Sequence, residues 1–149
     1  MKIAVCSDLH LEFGDLDLQN TGNADVLVLS GDIMVARDLI TLEDTQKLLP
    51  SSQRDRADKY FEFMMRCSDR FKMVIYLAGN HEHYHGDYAE TFSILRKSFA
   101  PLKNVVVMDK ESLVIDDVIF FVHISPQSTT KENHIIDNQR FFIHHNNIF

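Results

Sequence analysis

The chain has 149 residues, of which 45% are hydrophobic and 25% are charged, a composition typical of one soluble globular domain. The formal net charge is −7, which argues against a protein that binds the nucleic-acid backbone through a basic surface, although divalent cations would still allow phosphate substrates. No apolar run reaches the length of a membrane span, the N-terminus carries no signal-peptide pattern, and two cysteines do not make a disulfide framework. These features predict a soluble, cytoplasmic protein.

Three apolar runs have the pattern of strands that are buried on both faces. They cover residues 2–6, 26–30 and 73–78. Each run is followed at once by polar residues. Because ligands bind at the carboxyl ends of the strands in an open α/β sheet, the sequence predicts an α/β fold with its functional residues at those ends.

Helix and hairpin patterns occupy much of the remaining sequence. A short helix is expected before Pro50, and a 3.6-residue period of apolar side chains predicts a long amphipathic helix over residues 51–71. Asp87 with Glu90 three residues later indicates the start of a second helix. The other predicted elements are a strand at 105–107, a hairpin of residues 113–115 and 118–121, and a region with little periodicity over 133–147.

The polar residues after the three strands are of the types that bind divalent cations. Asp8 and His10 are two residues apart, so a carboxylate and an imidazole can converge at a strand end. Asp32 follows a glycine and has two oxygens with which to bridge two metals, and Asn80 offers an amide oxygen. The imidazole of His81 is suited to protonate a leaving oxygen or to stabilise the charge of a phosphoryl group.

In this order the motifs resemble those of the calcineurin-like metallophosphoesterases. The matching residues are Asp8-Leu9-His10, Gly31-Asp32 and Gly79-Asn80-His81-Glu82, and residues 79–87 are similar to the bacterial and phage members. The resemblance implies a β-sandwich flanked by helices. It also implies a centre of two divalent metal ions such as Mn, Fe or Zn.

The resemblance gives each motif residue a role. Asp8 and His10 would hold the first metal, Asp32 would bridge the two, and Asn80 would hold the second. His81 would be the catalytic imidazole that contacts the phosphoryl group. The histidines that follow it, His83 and His85, are expected to lie near the site or at the surface without binding a metal.

The later part of the chain departs from the family's pattern. The final Gly-His-x-His motif is not present, and only residues 121–126 resemble the preceding motif, with His123 as a ligand of the second metal. We therefore expect residues 1–121 to be the N-terminal part of a calcineurin-like phosphoesterase domain and residues 122–149 to be an atypical tail. Either His123 lies beside a deletion, or a truncation or frameshift has replaced the sequence after residue 121.

The predicted function is hydrolysis of phosphate mono- or diesters by metal-activated water, with activity reduced or lost if the missing C-terminal ligands leave the second metal weakly held. The alternative is a catalytically inactive fragment that acts as a binding module or has no function. The expected partner is a phosphoester substrate, with no membrane and no strong binding to the nucleic-acid backbone. Apolar sheet faces left uncovered would favour self-association.

Overall fold

The computed structural model describes residues 1–40, 50–125 and 138–145. In this part of the chain two β-sheets face each other across an apolar core, and two α-helices cover the other face of the larger sheet. The α/β fold with a sandwich of two sheets, predicted from the sequence, is confirmed. The helix expected before Pro50 falls largely on residues 41–49, which lie outside the described residues. The segment before them ends in a 3₁₀ turn at Ala36–Leu39.

The larger sheet consists of four parallel strands that lie in chain order, β1 (Ile3–Cys6), β2 (Val26–Ser30), β3 (Met73–Leu77) and β4 (Val105–Met108). The register places Val28 between Val5 and Ile75. Because the strands are parallel and in register, the carboxyl ends of β1, β2 and β3 lie side by side. The predicted motifs all begin at that edge.

Side chains of the larger sheet alternate between two apolar clusters, as the pleat of a strand requires. In β2, Leu27 and Leu29 pack on the helical side, whereas Val26 and Val28 pack against the second sheet. This two-sided burial explains why the sequence of β2 is a continuous apolar run rather than an alternating one.

Two amphipathic helices cover the larger sheet. Helix α1 (Ser51–Arg70) buries Tyr60, Phe63, Met64 and Cys67. Helix α2 (Tyr88–Phe99) starts after Asp87, whose side chain accepts a hydrogen bond from the backbone N–H of Ala89 at 2.9 Å. Both helices predicted from the sequence are confirmed, including the cap.

The second sheet has three antiparallel strands, β5 (Ser112–Ile115), β6 (Val118–Ser125) and β7 (Asn138–His145). The predicted hairpin turn at residues 116 and 117 is confirmed, and Asp116 adopts a positive φ of 53° there. The low periodicity of residues 133–147 led us to expect no regular structure, yet β7 lies within this region. Its pairing with β6 runs the full length of both strands and supplies backbone hydrogen bonds that the side-chain pattern does not reveal.

One prediction about the first strand is wrong. The apolar run of residues 2–6 suggested burial on both faces, but β1 is an outer strand of its sheet and Val5 is 57% exposed. A run of apolar residues does not reveal the position of its strand in the sheet.

Candidate metal centre

The loops that follow β1, β2 and β3 are hydrogen-bonded to one another. The backbone N–H of Asp8 donates to the carbonyl of Gly31 at 3.0 Å, and that of His10 donates to the carbonyl of Asp32 at 3.0 Å. From the third loop, the backbone N–H of His81 donates to the Asp32 carboxylate at 2.9 Å. The three sequence motifs therefore meet around Asp32.

Uncommon backbone conformations occur at three of the predicted site residues. Asp8, His10 and Asp32 have φ values of 56°, 47° and 55°. The left-handed region brings the Cβ of such a residue close to its own backbone, at a cost on the order of 1–2 kcal/mol. Residues held in this way cluster at functional sites, where the surrounding contacts keep them in place. Here those contacts are the hydrogen bonds between the loops.

Two glycines allow the loops after β2 and β3 to approach closely. Gly31 has a φ of 83°, and a Cβ on it would lie 2.9 Å from the Cα of Gly79. A Cβ on Gly79 would overlap the Asp32 carboxylate and lie 2.7 Å from the Asp32 nitrogen. Since both approaches are too short for any side chain, the position of Asp32 depends on these glycines.

Replacing Gly79 by alanine is expected to lower the free energy of unfolding by about 1–3 kcal/mol, because the added methyl group must displace Asp32. Urea unfolding followed by circular dichroism measures the change. The matched control is Gly22→Ala, where an added Cβ meets nothing within 4 Å. Equal stability of the two variants would show that the contact between Gly79 and Asp32 is not tight.

Three side chains from the three loops bring their ligand-type atoms together. One such atom from each of His10, Asp32 and His81 lies within 4.8 Å of the others. The Nδ1 atoms of the two imidazoles are 3.2 Å apart. The carboxylate of Asp8 is exposed and is not one of this group, although its backbone lies in the same network of loops. A carboxylate oxygen with two imidazole nitrogens is a donor set suited to transition-metal cations.

The side chain of Asn80 lies between Asp32 and Tyr84. Its amide group is 3.1 and 3.3 Å from the two Asp32 carboxylate oxygens and 2.9 Å from the hydroxyl of Tyr84. With the amide nitrogen toward Asp32, it donates to the carboxylate, and its oxygen accepts from the Tyr84 hydroxyl. The Asn80 side chain therefore lies directly beside Asp32, and its role as a metal ligand stays a prediction.

Glu12 connects the two imidazoles. Its Oε1 atom lies 2.7 Å from Nδ1 of His81 and 3.3 Å from Nδ1 of His10. Burial opposes ionisation of Glu12, but hydrogen bonds from its own backbone N–H, from His81 and from His10 outweigh burial and lower its pKa. Sequence reasoning missed Glu12. The alternation of Asp8, His10 and Glu12 is the signal that could have identified it.

The buried carboxylate of Glu82 holds the loops after β2 and β3 together through hydrogen bonds. The residue is 1% exposed. Its carboxylate accepts hydrogen bonds of 2.6–3.4 Å from the backbone N–H groups of Asp32, Ile33, Met34 and Gly79 and from the Tyr76 hydroxyl. Burial raises the pKa of Glu82, while the hydrogen bonds act in the opposite direction. One buried side chain therefore fixes the backbone on which Asp32 is presented.

Replacing Glu82 by glutamine is expected to lower the free energy of unfolding by about 2–5 kcal/mol. The amide NH₂ would face backbone N–H groups, and each buried donor left without an acceptor costs about 1–3 kcal/mol. Urea unfolding tests this prediction, with the exposed Glu62→Gln on α1 as the same chemical change at the surface. A difference below about 0.5 kcal/mol between the two variants would contradict the role assigned to Glu82.

The other histidines singled out from the sequence lie in different surroundings. The Nδ1 atom of His83 is 2.8 Å from the Thr91 hydroxyl, and its ring stacks on Tyr88 at 4.1 Å between centroids. His85 is exposed. Neither belongs to the group around Asp32. His123 lies on β6, opposite Arg140 of β7, and its role as a metal ligand stays a prediction.

A comparison with family models adds an independent observation. The model described as calcineurin-like phosphoesterase matches residues 1–148. The chain belongs to the calcineurin-like phosphoesterase family. No curated protein and no solved structure matched the chain in the corresponding comparisons. The division of the chain at residue 121 stays a prediction.

Family membership agrees with the chemistry at the sheet edge. Calcineurin-like phosphoesterases are metal-binding hydrolases of phosphoesters, and the group of His10, Asp32 and His81 is a candidate metal-binding group. In the described segments of the chain, no helix is both long enough and apolar enough to cross a membrane.

Proposed function

We propose that this chain hydrolyses phosphate mono- or diesters with the help of two divalent cations bound at the carboxyl ends of β1, β2 and β3. The observation that carries the proposal is the convergence of His10, Asp32 and His81, whose ligand-type atoms lie within 4.8 Å of one another in a member of a phosphoesterase family. Mn, Fe and Zn all suit the carboxylate, imidazole and amide donors.

The proposed ligands divide into two sets that share one residue. Asp8, His10 and Asp32 would hold the first cation, and Asp32 and Asn80 would hold the second, with His123 as a further ligand. The position of the Asn80 amide, 3.1 and 3.3 Å from the two Asp32 carboxylate oxygens, supports the second set. When bound, the cations supply positive charge for the phosphoryl oxygens and lower the pKa of water, so that hydroxide is available near neutral pH.

His81 is the proposed catalytic imidazole. Its side chain is 19% exposed, so it is accessible from solvent while most of the ring is packed. Because Nδ1 lies 2.7 Å from Glu12, Nε2 is the nitrogen left to contact a substrate. From that position the imidazole would stabilise charge on the phosphoryl group and pass a proton to the leaving oxygen, while Glu12 holds the ring in orientation.

Metal removal and restoration test this proposal. The protein is expected to hydrolyse p-nitrophenyl phosphate or its bis ester with Mn²⁺, to lose that activity after treatment with EDTA, and to regain it when Mn²⁺ is added back. The ratio of the two rates distinguishes a monoesterase from a diesterase. Equal rates with and without metal would contradict the proposal. Binding of Mn²⁺ with no hydrolysis of either ester would favour the alternative of an inactive binding module.

A further inference from the structure

His10 and His81 each lie in the same kind of turn, and each turn includes an aromatic residue. The backbone N–H of Phe13 donates to the carbonyl of His10 at 3.0 Å, three residues earlier. The backbone N–H of Tyr84 donates to the carbonyl of His81 at 3.1 Å, again three residues earlier. Each histidine therefore begins a tight turn that ends in an aromatic residue. The turn fixes the backbone of the aromatic residue relative to that of its histidine.

These turns bring four rings into successive contact. The centroid of Phe13 is 6.1 Å from that of His10, the two imidazole centroids are 4.2 Å apart, and the centroid of Tyr84 is 4.3 Å from that of His81. The outer rings are accessible, with Phe13 82% and Tyr84 43% exposed. A solvent-exposed aromatic ring therefore lies beyond each imidazole.

The two outer rings differ in how firmly they are held. The hydroxyl of Tyr84 is fixed by the Asn80 side chain at 2.9 Å, and one face of its ring lies against His81. The ring of Tyr84 is therefore held in place at its end of the site. Phe13 has an open ring face, because it is 82% exposed and its ring contact with His10 is the distant one of 6.1 Å. An isolated exposed phenylalanine is ordinary, but this one lies beside a candidate metal ligand, and a hydrogen bond to His10 holds its backbone there.

We propose that Phe13 is the stacking face of a subsite for a planar ring beside His10, that Tyr84 bounds the site beyond His81, and that the phosphoesters cleaved here carry an aromatic or nucleobase group close to phosphorus. The inference rests on the proposed function, since the phosphoryl group must be bound over His10 and His81 for the ring to reach the outer aromatics. Stacking on an aromatic side chain tolerates many ring types because every planar ring presents a π-face. The shared chemistry of the substrate is therefore the planar ring rather than one particular base.

Binding of phosphonates tests the subsite separately from catalysis, because their carbon–phosphorus bond is not a hydrolysable ester. Titration calorimetry on the Mn²⁺-loaded protein would compare phenylphosphonate, cyclohexylphosphonate and methylphosphonate. We expect phenylphosphonate to bind about 5- to 150-fold more tightly than methylphosphonate, the range expected for one stacked ring. Cyclohexylphosphonate, which is apolar and of similar size but not planar, is expected to show much less of this gain.

Two substitutions of Phe13 and two control variants test whether this residue causes the tighter binding of phenylphosphonate. Phe13→Ala and Phe13→Leu are each expected to remove most of the gain, since leucine keeps apolar bulk but lacks a π-face. Tyr84→Phe retains the ring and is expected to retain the gain. Val114→Ala changes an apolar residue on β5 that is 63% exposed and lies outside the site, and it is expected to leave the preference unchanged.

The outcomes separate this inference from the function on which it rests. Mn²⁺-dependent binding of all three phosphonates with equal affinity would overturn the subsite and leave the phosphoesterase proposal intact. Binding of none of them would overturn the subsite, and the hydrolysis of p-nitrophenyl esters would then decide the proposed function. Relative rates on phenyl phosphate, AMP and ribose 5-phosphate identify the ring type. Preference for either ring-bearing ester supports the inference, and preference for neither contradicts it.

Discussion

The Asp32→Asn variant is expected to lose about 100-fold or more in Mn²⁺ affinity and about 1,000-fold or more in kcat/KM. The substitution removes the negative charge shared by both proposed cation sites. It keeps a side-chain oxygen of the same size, so the hydrogen bond from the His81 backbone N–H at 2.9 Å can persist. Titration calorimetry with Mn²⁺ and the hydrolysis of bis(p-nitrophenyl) phosphate measure the two effects.

The control for this prediction is Asp58→Asn, the same change at an exposed position of α1. It is expected to leave Mn²⁺ affinity and activity at the level of the unmodified protein. If the two variants bind Mn²⁺ equally well, Asp32 does not bind the cations, and the proposed ligand sets are wrong. Unchanged urea midpoints in both variants would exclude unfolding as the cause of any loss.

The His81→Asn variant is expected to lower kcat by about 10²–10⁴-fold, the usual contribution of a general acid or base, while Mn²⁺ affinity changes by only a few fold. The imidazole lies within the candidate metal-binding group, so its geometry alone suits a ligand as well as a catalyst. The two roles differ in the measured quantity. Loss of a catalytic group lowers the rate, whereas loss of a metal ligand first weakens the binding of Mn²⁺.

The matched control is His85→Asn, the same substitution four residues along the same loop. Asparagine tolerates the φ of 60° at this exposed position, so little strain is added. We expect unchanged kinetics for this variant. A loss of Mn²⁺ affinity in His81→Asn, together with a kcat that recovers at high Mn²⁺ concentration, would instead assign His81 as a ligand.

The sequence predicted the elements that carry the site because each rests on a local pattern. The apolar runs that became β2 and β3 are long enough to identify as buried strands, and the polar motifs begin where those runs end. Parallel strands align their carboxyl ends, so the sheet brings His10, Asp32 and His81 together as a consequence of the topology. No detail of the loops was needed for that inference.

The contacts that depend on the loops were not predictable in the same way. Glu12 reaches His81 across 69 positions of sequence, and only the hydrogen-bonded loops bring the two together. The uncommon φ angles of Asp8, His10 and Asp32 leave no mark in side-chain type. Strand β7 was missed because backbone pairing with β6, and not an alternating pattern, defines it.

Anomalous diffraction from crystals grown with Mn²⁺ would locate the bound cations. We expect difference peaks at the carboxyl ends of β1, β2 and β3, with Asp32 in contact with the metal and with Asn80 and His10 among the remaining ligands. Peaks confined to other acidic residues of the surface, or none at saturating Mn²⁺, would show that the loops after these strands do not form a metal centre.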